Sequence, residues 1–178
     1  MKGIVFTELL EMVEDTYGDE VLDRVIEKSD LPNNGSYSAV GTYDHAELVK
    51  LVVSLSEEVN EEIPTLLKVY GHHIFRVFAQ NYPQFFEGVN DAFTFLESIE
   101  NHIHVEVRKL YPDAELPTFD SIRVSDHELK LTYMSTRKMG DFAQGLIEEC
   151  MKHFQEKSEV KVSSVEDDGA KVYFVITR

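Results

Sequence analysis

Cysteine, positive charge and long apolar runs are the three things this chain has little of. Cys150 is the only cysteine, so an internal disulfide, a Cys-x-x-Cys redox pair, an iron–sulfur cluster and a covalently attached c-type haem are excluded. Its expected place is a helix, as a small side chain of no special reactivity. Seventeen Lys and Arg face thirty-three Asp and Glu, a formal charge of −16. That balance repels phosphate backbones and anionic lipid, which argues against nucleic acid and membrane partners. No stretch approaches the ~18 apolar residues of a membrane span, and Met1-Lys2-Gly3-Ile4 leads into a segment carrying Glu8 and Glu11 instead of an apolar leader. A cytoplasmic location is the expectation. A Gly-rich phosphate loop, a nucleophile motif and a second carboxylate-rich site are also missing, so no enzyme activity is expected.

What is present is enough for one soluble domain with a real core: 178 residues, 43% hydrophobic and 28% charged. No repeat, low-complexity tract or linker divides it, and residues 1–178 read as a single unit. The first half is helical. Val5, Leu9, Met12 and Val13 recur at helical spacing up to Gly18, Val21 to Ile26 continues as a short helix, and Asp30 to Ser38 is loop. Asp44 caps a helix carrying Leu48, Leu51, Val52 and Leu55, and Leu66 to Tyr82 forms another, closed by Pro83. Asp91 to Leu116 reads as one long helix running into a turn, with Phe93, Leu96, Ile99, Ile103, Val107 and Leu110 on one stripe.

After Tyr111-Pro112 the period falls from 3.6 to 2. Phe119, Ile122 and Val124 make a poor strand, and the stretch from Leu129 to Lys138 alternates cleanly. Asp141 to Phe154 is helical, and Val160 to Ile176 closes as a hairpin about Asp168-Gly169. About five helices, then strand, strand, helix, strand, strand, argue α+β with a small antiparallel sheet.

Two groups of side chains carry chemistry. On the long helix His104 lies on the flank of the apolar stripe, near Glu100, whereas His102 points to water, so the two cannot easily share an ion. A lone histidine there is ordinarily a packed ring. On the second strand Tyr133, Ser135 and Arg137 fall at i, i+2 and i+4, on the face that Leu129 and Leu131 mark as interior. An inward guanidinium needs an anion, and two readings stay open. Either an Asp or Glu of another element supplies it, or a ligand with two carboxylates does. His72 and His73, adjacent on a helix, diverge and read as surface or pocket rim.

Tyr133-x-Ser135-x-Arg137, preceded by His104 and Lys109-Leu110-Tyr111-Pro112, with Pro117 between and Met1-Lys2-Gly3 at the start, resembles the H-NOX family of haem domains over nearly the entire chain. That family includes the haem domain of soluble guanylate cyclase. The resemblance implies an N-terminal helical subdomain and a C-terminal four-stranded antiparallel sheet with helices, with haem b (iron protoporphyrin IX) between them. It implies His104 as the proximal iron ligand, Tyr133, Ser135 and Arg137 at the haem propionates, and Pro117 against the macrocycle. A cysteine-rich zinc site found in some relatives cannot be built from Cys150 alone, so no zinc is expected.

The resemblance also bears on the gas. In oxygen-binding members a tyrosine after the motif donates to bound O2; the matching position is Phe142, and the supporting asparagine and pocket tryptophan match Ile74 and Leu9. The implied ligands are therefore NO and CO with O2 excluded, and the implied partner is a separate histidine kinase or cyclic-di-GMP enzyme. NO would release the His104 tether and let the helix and haem relax against Pro117. A haem enzyme such as a peroxidase would want a polar distal pair, an O2-binding haem protein a distal donor, and a haem-free interaction domain would use Arg137 in an internal ion pair.

Overall fold

The computed structural model describes residues 1–178, which divide into two compact units, Met1–Tyr70 and Gly71–Arg178. The first unit is helical. α1 (Ile4–Tyr17) buries Phe6, Leu9, Met12 and Val13 and stops at Gly18, whose φ of +87° a side chain would resist. α2 (Asp19–Ser29) follows directly, and the loop after it leads to α3 (His45–Val59). Asp44 caps α3 as expected, its carboxylate accepting the Ala46 N–H at 2.9 Å. Leu48, Leu51, Val52 and Leu55 form the buried stripe of α3. α4 (Ile63–Asn81) starts three residues before the expected Leu66 because Pro64 falls in its first turn, where a missing N–H costs nothing. Its residue Tyr70 is fully buried and donates to the Val5 carbonyl.

The second unit contains the rest of α4, a 3₁₀ turn (Pro83–Phe86), α5 (Ala92–Ser98), a π-helical turn (Ile99–Ile103) and α6 (His104–Leu110). β1 (Thr118–Ser125), β2 (Glu128–Met134), α7 (Gly140–His153), β3 (Glu159–Glu166) and β4 (Lys171–Thr177) complete it. The four strands pair antiparallel in the order β1-β2-β4-β3. Register puts Leu129, Leu131 and Tyr133 opposite Ile176, Phe174 and Val172. All six are buried, in one core with Phe93 and Leu96 of α5 and Ile147, Cys150 and Met151 of α7. Helices followed by a four-stranded antiparallel sheet are the α+β class the sequence predicts. No helix is long and apolar enough to cross a membrane.

Two sequence expectations are corrected. The stretch Asp91 to Leu116 is not one regular helix: it ends at Leu110 and is interrupted by the π turn. The alternating strand stops at Met134, so Ser135 and Arg137 do not continue its inner face. Lys138, at φ +54°, helps swing the chain out of the sheet towards α7, and the Arg137 N–H goes to Ser135 Oγ at 3.2 Å instead of to a neighbouring strand. Period-2 alternation of residue types persists through a turn as easily as through a strand.

Candidate functional site

The π turn decides where His104 points. An α-helix rotates about 100° per residue, whereas i→i+5 winding rotates roughly 80°, so five such residues set back everything after them by roughly 100°. That rotation moves His104 from the flank of the stripe to the middle of the face that Ala92, Phe93, Phe95 and Leu96 bury. His104 is 7% exposed, while Val105 and Leu110 are carried out to 41% and 47%. His102 stays exposed, as expected.

His104 Nδ1 is buried without a hydrogen-bond partner. The nearest acceptor, Glu100 Oε2, lies 3.4 Å away, inside ion-pair range but out of line for a hydrogen bond. That oxygen accepts the Phe119 N–H at 3.0 Å. Burial pushes the His104 pKa below the ordinary histidine value, and the neighbouring Glu100 only partly offsets it. Burial thus favours the neutral ring, the state a metal ligand requires.

From His104 a row of rings leads to the triplet. The Phe119 ring centre is 5.9 Å from that of His104 and 5.6 Å from that of Tyr133. Tyr133 is buried, and its Oη accepts the Met139 N–H at 3.1 Å, which leaves its own proton without an acceptor. Ser135 is half-buried. Arg137 has an anion from its own chain: Nη2 meets Glu115 Oε2 at 2.6 Å and Nη1 donates to the Glu115 carbonyl at 2.5 Å. The carboxylate from another element is thus what this structure contains. The Glu115 side chain is 85% exposed against 17% for Arg137, so the pair is weak and a carboxylate ligand can exchange with it. Pro117 is half-buried in the same α6–β1 connection, two residues beyond Glu115.

Leu9 is buried within the first unit, Ile74 is buried on α4, and Phe142 is half-buried on α7. None of the three side chains carries a polar atom. His72 is half-buried, its Nε2 2.9 Å from Glu148 Oε2 on α7. Beside it Gly71 lets α4 and α7 approach closely, since a Cβ there would meet the Phe142 carbonyl and come within 2.9 Å of the Leu146 amide. Sequence reasoning missed Gly71 and Glu115; it placed Glu100 near His104 and Phe119 on a strand but gave neither a part in the site. A glycine inside a helix costs about 1 kcal/mol relative to alanine and is a usable sign of close packing. Nothing in the spacing marked Phe119 or Glu115.

A buried imidazole, hydroxyls at Tyr133 and Ser135, and a guanidinium with an exposed partner are groups that could hold a metal-bearing dianion. These donors fit an iron porphyrin with two propionates. The Haem-NO-binding family model matches residues 2–162. The chain is 42% identical to an Fe(II) unliganded H-NOX protein from K. algicida, whose crystal structure it matches at a TM-score of 0.94 over 99% of this chain and 96% of that one. It is 40% identical to an IWP-051-bound H-NOX from Shewanella woodyi in the Fe(II)CO state, at a TM-score of 0.85 over 100% and 94%. It is also 24% identical over 157 residues to soluble guanylate cyclase 89Db of Drosophila melanogaster, covering 86% of this chain and only 23% of that protein's length. The chain belongs to the Haem-NO-binding (H-NOX) family, a family of haem gas-sensor domains.

Proposed function

We propose that the chain is an NO sensor domain that holds haem b through His104 and signals to a separate partner. The observation that carries this reading is the buried His104 imidazole with an unpartnered Nδ1. When bound, the haem supplies a ferrous iron that takes up NO and CO. His104 offers one nitrogen from a rigid helix, Tyr133 and Ser135 offer hydroxyl protons, and Arg137 exchanges Glu115 for a propionate. Pro117 limits how the group can settle. Discrimination follows from what Leu9, Ile74 and Phe142 lack. These three side chains would offer a haem-bound gas no hydrogen-bond donor, which O2 would need and NO and CO would not, so they would form an apolar wall.

Were NO to loosen the hold of His104, the helix that carries it would be free to move, and a partner that distinguishes the two states would read the difference. A histidine kinase or a cyclic-di-GMP enzyme is the proposed reader, and the cytoplasm the proposed location. The test is the visible spectrum of the hemin-reconstituted, reduced protein under argon, NO, CO and air. The expected outcome is a Soret band that shifts with NO and CO and forms no lasting oxy species in air. A persistent oxy spectrum removes the selectivity, and the absence of any Soret band removes the haem.

A further inference from the structure

Glu100 sits four residues before His104, within the π turn, and its carboxylate faces the imidazole. Its Oε2 is fixed by the Phe119 N–H at 3.0 Å, which ties it to the start of β1. The same oxygen is 3.4 Å from His104 Nδ1, a buried atom with no partner. No other carboxylate pairs with this ring. A buried N–H is costly to leave unsatisfied, and a small torsional movement of one glutamate brings the acceptor into line.

We propose that Glu100 is the positioning residue for His104: it accepts the Nδ1 proton, thereby fixes the tautomer that leaves Nε2 free, and makes Nε2 the stronger donor towards iron. This rests on the haem reading above. It gives the chain a means of setting how firmly His104 holds on when gas binds. Spacing alone places Glu100 merely one turn away; the π turn and the Phe119 amide aim it.

The native protein, Glu100→Gln and Glu97→Gln are reconstituted with hemin and reduced. Gln at 100 keeps an acceptor for the Phe119 N–H and removes the charge, while Glu97 pairs with Arg123 and serves as the control. Resonance Raman of the ferrous proteins reads the iron–histidine stretching band, which is expected at lower frequency in Glu100→Gln only. Haem transfer to an excess of scavenging apoprotein is expected to accelerate about 10-fold in the same variant. An unmoved band in Glu100→Gln, with a normal Soret band in all three proteins, overturns the proposal and leaves haem binding standing. No Soret band even in the native protein overturns both. If Glu100→Gln does not fold, Glu100→Asp, which draws the carboxylate back by one methylene, must show the same downward shift or the proposal fails.

Discussion

The two units of this molecule divide charge and chemistry between them. Met1–Tyr70 carries fifteen Asp and Glu against five Lys and Arg, a formal −10, whereas the larger Gly71–Arg178 carries eighteen against twelve, only −6. Of the residues proposed to touch haem or gas, only Leu9 belongs to the first unit. His104, Pro117, Tyr133, Ser135 and Arg137 all belong to the second, on an interrupted helix, the connection after it, a strand and the turn that ends the strand. Regular amphipathic helices make the acidic unit. The groups proposed to bind haem gather where regular structure breaks, because a π turn and a strand end aim side chains that a continuous helix or sheet would spread along one face.

The division is tested most severely by paired changes. His104→Gly is expected to abolish the five-coordinate ferrous spectrum, while Leu51→Ala, deep in the first unit, is expected to cost about 2–5 kcal/mol of stability and leave the Soret maximum of the folded fraction unmoved. Chemical denaturation and absorption on the same samples decide it. A shifted Soret maximum in Leu51→Ala shows that the first unit shapes the haem's electronic surroundings and breaks the separation. Next in size is Phe142→Tyr, which adds a hydroxyl donor worth about 1.5 to 3 kcal/mol to bound O2 and so strengthens O2 binding by roughly ten- to a hundred-fold. Oxygen titration of the ferrous variant measures this, and a variant that still shows no oxy form refutes the apolar-wall account of selectivity.

Arg137 sharpens the comparison within the second unit. If its function is to clasp propionate, Arg137→Ala accelerates haem loss by about ten-fold, and Glu115→Gln, which removes only the competing carboxylate, does not accelerate it. If the Arg137–Glu115 pair is merely an ion pair that pins the loop, both variants lose haem alike. Transfer kinetics to a scavenger separate the two.

Much of this was legible in the sequence, for identifiable reasons. The helices of the first unit and the order of the strands follow from apolar period and capping: the Asp44 cap, the Gly18 stop and the stripe of α3 are local signals with local causes. His104 and Tyr133-x-Ser135-x-Arg137 were legible as a motif but not as geometry. A π turn adds no residue type that marks it, so the stripe through Val107 and Leu110 looked continuous, and a helical projection left His104 on the flank. The strand's end was hidden because Thr136 and Arg137 keep the alternation going after the pairing with β4 has ended at Met134. Glu115 and Phe119 reach the site only through tertiary folding of the α6–β1 connection, for which no period exists to read.

The smallest expected effect concerns the acid limit of the second unit. Burial pushes the Asp91 carboxyl up, but hydrogen bonds from Thr94 and the Arg178 guanidinium outweigh it and hold the group below the ordinary carboxylate value. A carboxyl depressed in the folded state contributes stability that is complete above the unfolded value of about 4 and disappears as pH falls through the lower folded value. Thermal midpoints taken from about pH 6 down to about pH 2 should therefore fall more steeply for the native protein than for Asp91→Asn, and the two curves should converge at the acid end. In the first unit Glu58 is likewise held down, by Lys28 and then Arg24, and its side chain is only 14% exposed. Its two cations are each 46% exposed, against 21% for Arg178, so water and salt screen them more and Glu58→Gln should change the same profile less. If Glu58→Gln flattens the curve more than Asp91→Asn does, acid sensitivity lies in the acidic unit after all, and its surplus of negative charge has to be counted as part of what holds it folded.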